Sequence, residues 1–306
     1  MTHPMGPAVV DSGAAPPAVA TARLVRSAWR LRWRRRLTDF HAAWVDPLIG
    51  PARRLPDAVI IGAQKSGTTS LYHHLTAHPG VVASRTKEVH FFDVNFRRGL
   101  GWYRYHFPPS RTQPSEGVWL ESSPYYLFHP CVPQRMRERL PGARLIVMLR
   151  DPVSRAYSHY WHERSRGREP LSFADALAAE AARLDGAEAD LAAGRVRYSY
   201  NHQRYSYFAR GLYARQIRRW LNHFPAEQFL FVDSGVFFSQ PETEIARITD
   251  FLGLERRTGL PLPRANVGRY DADIDPDTAA RLRAAYAEHD EELAHLIGRR
   301  FSWMEN

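Results

Sequence analysis

The chain has 306 residues, of which 44% are hydrophobic and 24% charged, the balance of a water-soluble globular protein. No apolar run approaches the length needed to cross a bilayer as a helix, and no signal-peptide core follows the basic N-terminal stretch, so a cytoplasmic protein is expected. The single cysteine, Cys131, forms no internal disulfide and no Cys/His metal set exists in the sequence.

The net charge of +10 is unevenly spread. Seven arginines stand between Arg23 and Arg36 with no acid among them, so most of the excess sits on one arm. Of the 42 basic residues only Lys65 and Lys87 are lysine. A compact ammonium at these two positions, where arginine serves everywhere else, marks them as places where a planar fork does not fit.

Residues 1 to 20, rich in Ala, Pro and Val, read as disordered. Residues 21 to 55 form a basic arm in which Trp29, Trp33, Phe40 and Trp44 interleave with arginines. That composition suits contact with an anionic membrane surface, and equally a helix packed on the domain. The body runs from 56 to 306. Residues 57 to 61 are a short apolar, β-branched run that suits a buried parallel strand. A helix is expected over 66 to 77, broken by His78-Pro79-Gly80. Strands are expected at 81–84, 118–121, 144–149 and 228–232, and helices at 132–140, 152–164, 207–223, 241–251 and 276–297. The stretch 168 to 200 reads as a helical insertion, in which residues 171 to 191 are Ala-rich and amphipathic and form a helix or helix pair. Strands alternating with helices predict an α/β fold: a P-loop-like, three-layer, doubly wound and mostly parallel sheet.

The strand, the loop Gly62-Ala63-Gln64-Lys65-Ser66-Gly67-Thr68-Thr69 and the next helix make a phosphate-binding arrangement. Backbone N–H groups at a helix N-terminus face an anion, the helix dipole adds attraction, and Gly67 lets the backbone come close. Thr68 and Thr69 add hydroxyl donors. The loop departs from the ATPase pattern, in which lysine follows the second glycine and a Ser or Thr then holds Mg²⁺. Here Lys65 precedes Gly67, and the apolar strand 145–149 leads into Arg150 rather than an acid. A basic residue there suits a further phosphate better than a metal.

The order Lys65-Ser66-Gly67-Thr68-Thr69 resembles the 5′-phosphosulfate loop of sulfotransferases that use 3′-phosphoadenosine 5′-phosphosulfate (PAPS). In that family an Arg followed eight residues later by a Ser forms the 3′-phosphate site, and Arg150 and Ser158 stand at that spacing. Lys87-Glu88-Val89-His90-Phe91-Phe92-Asp93 is similar to a segment of glycan sulfotransferases, heparan sulfate 3-O- and N-sulfotransferases and their bacterial relatives in particular. Glu121-Ser122-Ser123-Pro124 and Gly211-Leu212-Tyr213 continue the likeness, and Gly268-Arg269 falls where that family has a loop over the nucleotide.

The resemblance implies PAPS as cosubstrate, with no metal, and sulfuryl transfer to a hydroxyl or amine of a carbohydrate or glycosylated metabolite. No nucleic-acid partner is implied. It makes Lys65 the group that steadies the bridging oxygen, Glu88 the base and His90 its tuner. Lys65, Ser66, Gly67, Thr68, Thr69, Ser70, Arg150, Ser158, Gly268 and Arg269 would hold the nucleotide. Lys87, Glu88, His90, Asp93, Glu121 and Ser122 would meet the acceptor. Two departures stand out: Ser122 occupies a position where those glycan enzymes carry lysine, and their C-terminal cysteine pair is missing. Lys87 is expected to supply the lost charge. Phe91 and Phe92 read as core, and Trp102, Tyr103, Tyr105, Tyr125 and Tyr126 as core or as a sugar platform. Two rivals remain open on the sequence: a P-loop kinase or NTPase, and a non-catalytic polyanion- or membrane-binding protein on the same fold.

Overall fold

The computed structural model describes residues 53 to 305, apart from 111–112, 114–115, 264 and 266–271. The Arg23–Arg36 arm, the N-terminal 20 residues, and Gly268 and Arg269 lie outside the described residues.

The chain runs through β1 (Ala58–Gly62), α1 (Thr68–Thr76), β2 (Val81–Ala83), α2 (Gly99–Tyr105), β3 (Val118–Ser122), α3 (Val132–Arg139) and β4 (Arg144–Leu149). It continues through α4 (Pro152–Arg164), α5 (Phe173–Leu184), α6 (Ala187–Ala192), α7 (Tyr200–Arg204) and α8 (Tyr213–Leu221). The last elements are β5 (Phe229–Asp233), α9 (Ser234–Ser239), α10 (Pro241–Leu252) and α11 (Pro276–Ile297).

The five strands form one sheet in the order β2-β3-β1-β4-β5, and every pairing is parallel. The expected α/β architecture is therefore present. Alternate residues point to opposite faces. Val59, Ile61, Leu145, Val147 and Leu149 join one core layer, while Ala58, Ile60, Ile146 and Met148 join the other. Burial on both faces explains why β1 and β4 are unbroken apolar runs rather than alternating ones.

The insertion is a helix pair, one of the two expected forms, plus the short α7; the pair is broken at Gly186, whose φ of 66° suits glycine. The expected helix over 207–223 is a 3₁₀ turn at Ala209–Gly211 followed by α8. At Gly211 a Cβ would stand 2.6 Å from the Tyr286 hydroxyl, so α11 presses directly on this backbone.

The order places the topological switch between β1 and β4. From β1 the chain winds toward β3 and β2, and from β4 toward β5. In such sheets the crevice beyond the strand carboxyl ends at the switch is where ligands dock. Residues 63–67 and Arg150 leave β1 and β4 at that edge.

One side of the crevice is closed by chain returning from the far end of the sequence. Asp233 caps α9 by accepting from Gly235 N (2.7 Å) and Val236 N (3.2 Å). The same carboxylate accepts from Ser302 N (2.7 Å) and Ser302 Oγ (3.1 Å). It is thus a helix cap and a long-range clamp together. Asp233→Ala is expected to lower stability by about 2 kcal/mol, a fall in Tm of roughly 5 °C for a domain this size, measured by thermal denaturation.

Candidate functional site

The loop after β1 turns through two left-handed residues, Lys65 (φ 72°) and Gly67 (φ 99°), before α1 begins. No side chain caps α1, so its first amides are open toward the crevice. Gly67 has no substitute: a Cβ there would stand 2.8 Å from the Phe238 ring, at a φ that side chains rarely adopt. Arg150 donates to the Lys65 carbonyl at 3.3 Å, binding the two strand ends together. Asp151 caps α4 by accepting from Val153 N and Ser154 N at 3.2 and 3.0 Å, and Ser158 stands two turns along that helix.

These groups line one cavity of about 560 Å³, with Lys65, Arg150 and Ser158 on its wall. Lys65 is held down to about 8, first by burial and then by the nearby guanidinium groups of Arg166 and Arg150. Their repulsion outweighs the attraction of Glu163 and Glu88. An ammonium, a guanidinium, a serine hydroxyl and open helix amides gathered with excess positive charge are the donor set for a bisphosphorylated ligand. The residues therefore fit the nucleotide that the sequence implied.

Glu88 lines the same cavity. Lys87 Nζ lies 2.8 Å from its Oε1 and His90 Nε2 3.5 Å from its Oε2. His90 Nδ1 in turn meets Asp93 Oδ2 at 2.7 Å. Burial works against both charges. Nevertheless hydrogen bonding to His90 and the Lys87 ammonium hold the Glu88 carboxyl at about 2, and Asp93 with Glu88 pushes His90 up to about 10. The result is an ionised carboxylate oriented by an imidazolium that a buried aspartate fixes. Among the described residues the non-glycine positions with positive φ are Lys65, Glu88 and His90 (φ 61° and 54° for the last two). Backbone strain of this kind costs about 1–3 kcal/mol per residue and persists where the surroundings over-determine it. It coincides with the three residues expected to carry the chemistry.

Several expected contacts are relocated. Asp93 is buried, so it orients His90 rather than meeting an acceptor. Glu121 and Ser122 are wholly buried, because β3 is an interior strand paired with β2 on one side and β1 on the other, and neither reaches the acceptor side. Ser70 is also fully buried, and its Oγ accepts from Ala265 N at 2.9 Å, tying the chain near 265 to α1 instead of facing the ligand. Phe91 and Phe92 are core as expected, with Phe91 stacked on Tyr103 at 4.4 Å. Trp102, Tyr103, Tyr125 and Tyr126 are buried too and form no sugar platform. Tyr105 is partly exposed beneath the guanidinium groups of Arg53 and Arg85.

Sequence reasoning missed several groups. His162, one turn past Ser158, lines the cavity, and burial with the Lys65 charge pushes its imidazole down to about 3. Phe238 and Trp303 form cavity wall from the distant end of the chain. Arg210 is buried between the Tyr125 and Phe128 rings (5.1 and 4.9 Å) and donates to Gln64 Oε1, bracing the phosphate loop from behind. Its position just before Gly211-Leu212-Tyr213 was the signal available.

A sulfotransferase-domain family model matches residues 55–261. The chain belongs to the sulfotransferase family. Human heparan sulfate glucosamine 3-O-sulfotransferase 6 is 38% identical over 278 residues, covering 83% of this chain and 75% of that protein. Human heparan sulfate glucosamine 3-O-sulfotransferase 3B1 is 32% identical over 275 residues, covering 82% of this chain. The chain spans 66% of the length of that protein and 63% of the human 3A1 enzyme. Among solved structures, a sulfotransferase from Alicyclobacillus acidocaldarius superposes with a TM-score of 0.68 at 30% identity, covering 83% of this chain and all of that one. The kinase or NTPase alternative and the dead-fold alternative find no support in these relatives.

The Lys65 ammonium gives this sulfotransferase a pH signature. Its folded pKa is lowered, to about 8 from 10.5, so the charged form that attracts phosphate exists below about pH 8. Binding of a phosphorylated nucleotide is expected to draw a proton onto Lys65 above that pH. Affinity for 3′-phosphoadenosine 5′-phosphate (PAP) is expected to be flat below pH 7. It should weaken by up to about tenfold per unit above pH 8, measured by calorimetry in buffers of different ionisation enthalpy. Lys65→Met should bind weakly at every pH and lose the slope.

Proposed function

We propose that this chain transfers a sulfuryl group from PAPS to a hydroxyl of a carbohydrate acceptor, with no metal required. The observation that carries the reading is a single cavity in which the phosphate loop, Lys65 and the ionised carboxylate of Glu88 meet. The names of the relatives support a glycan hydroxyl as the acceptor class.

When bound, PAPS supplies an activated sulfuryl group with a bisphosphate nucleotide as leaving group. Lys65 and the α1 amides hold its phosphosulfate end, and Arg150 with Ser158 holds the second phosphate. Glu88 accepts the proton of the attacking hydroxyl on its carboxylate. His90 keeps that carboxylate aimed and charged, and Asp93 keeps His90 protonated. Lys65 then stands beside the oxygen on which negative charge collects. His162, neutral at physiological pH, adds a polar wall without adding charge.

Lys87 takes the place of the missing lysine. Glu88 N donates to the Ser122 carbonyl at 2.9 Å, so position 122 adjoins the base. The Lys87 ammonium reaches the Glu88 carboxylate directly, and Ser122 is left buried. Lys87→Ala is expected to slow sulfation about tenfold at unchanged PAP affinity. Sulfation at the wild-type rate by this variant overturns the assignment.

Calorimetric titration with PAP and with ATP, each with and without Mg²⁺, tests the nucleotide. PAP is expected to bind without metal and ATP to bind far more weakly; Mg²⁺-dependent ATP binding in preference to PAP overturns the reading. Labelled PAPS with a panel of glycan and phenolic acceptors then tests the acceptor class, and transfer to phenols alone overturns it. Glu88→Gln should lower turnover by about 10² to 10⁴ with PAP affinity within about twofold. A matching fall in PAP affinity instead would place Glu88 in the nucleotide site.

A further inference from the structure

Beneath the Glu88 turn lies a buried polar layer that the chemistry above leaves unused. Glu121, near the end of β3, is fully buried in the sheet. Tyr103 donates to its Oε2 at 2.9 Å, and Ser123 Oγ donates to its Oε1 at 2.5 Å. Ser123 Oγ, its own proton committed to Glu121, accepts from the His90 amide at 3.1 Å. Two residues earlier the Glu88 amide donates to the Ser122 carbonyl at 2.9 Å. The two left-handed residues of the turn are therefore each pinned by their amide to consecutive positions of the chain leaving β3. The next amide, Phe91 N, is held by the Tyr126 hydroxyl at 2.8 Å.

An acid enclosed in an aromatic core is an unfavourable choice for stability alone. Burial pushes Glu121 up to about 7, against the hydrogen bonds from Ser123 and Tyr103, and the charges of Asp93 and His90 act on it as well. Its chemistry nevertheless does something that a neutral residue does not. A carboxylate only accepts hydrogen bonds, so the Ser123 proton has one destination and an oxygen lone pair is left for His90 N. A neutral amide satisfies Tyr103 and Ser123 in either orientation and enforces no direction.

We propose that Glu121, acting through Ser123, is a positioning residue that holds the strained Glu88–His90 turn in the geometry that presents the base. The proposal rests on the reading of Glu88 as that base. It assigns the Glu121 position, which the sequence placed among acceptor contacts, to the support of the catalytic turn.

The test measures kcat, KM for PAPS, PAP affinity and Tm at pH 8 for Ser123→Ala, Glu121→Gln, Glu88→Gln and the Ser123→Ala/Glu88→Gln double variant. Ser123→Ala and Glu121→Gln are each expected to lower kcat by about 10- to 100-fold, the scale of a small misplacement of a reacting group. PAP affinity should stay within about twofold. The double variant should be no slower than Glu88→Gln alone, because both changes act through one carboxylate. A role in stability only would lower Tm, leave kcat of the folded enzyme unchanged and make any losses additive. Wild-type kcat in Ser123→Ala or in a folded Glu121→Gln, or additive losses in the double variant, overturns the proposal while the base survives. Wild-type turnover in Glu88→Gln overturns the underlying reading instead. Should Glu121→Gln fail to fold, Ser123→Ala, which removes a single oxygen atom, decides the outcome.

Discussion

A half-buried ammonium flanked by two guanidinium groups is the constraint on which the rest of this molecule turns. Lys65 follows the carboxyl end of the central strand, partly desolvated and repelled by Arg166 and Arg150. Isolated, such an arrangement is unfavourable, since each cation raises the free energy of the others. It becomes favourable when an anion of several charges enters. The sheet topology makes this possible by opening a crevice at the β1/β4 switch, and Arg210 braces the loop from behind through Gln64. The loop thus makes an electrostatic demand that a polyanion satisfies.

The acceptor side follows a different logic. There the charges are already balanced: Glu88 lies between Lys87 and His90, and His90 between Glu88 and Asp93. What is out of balance is the backbone, with left-handed residues at 88 and 90. Fixing a carboxylate on such a turn removes the rotamer and loop freedom that would otherwise be lost at the moment of reaction. One half of the site stores electrostatic free energy and the other conformational strain. Lys65, whose own φ is positive, belongs to both.

The sheet was largely legible because buried parallel strands write themselves as uninterrupted apolar runs, and β1, β4 and β5 appear within a residue of their expected bounds. The phosphate loop was legible because its physics is local: a strand, a glycine and a helix start adjacent in sequence. Glu88 and His90 were found through a motif that resembles known enzymes, but their strain and their partners were not, since φ follows from the fold around them. Glu121 was misplaced for a related reason. A glutamate reads as surface or site in a sequence, and only the stacking of β1, β2 and β3 shows it to be enclosed. Phe238 and Trp303 were invisible because nothing near them in the chain resembles a ligand site; they reach the cavity only through tertiary return.

That return has a thermodynamic meaning. The cavity wall joins residues from Gln64 to Trp303, with Ser70 bonded to Ala265 and Asp233 to Ser302. A ligand seated there touches segments that share no local contact in the chain, and so works as a removable cross-link. The free energy of nucleotide binding is at the same time free energy of folding. On the proposed function, proteolytic or thermal resilience of the folded protein is therefore tied to the concentration of its own cosubstrate.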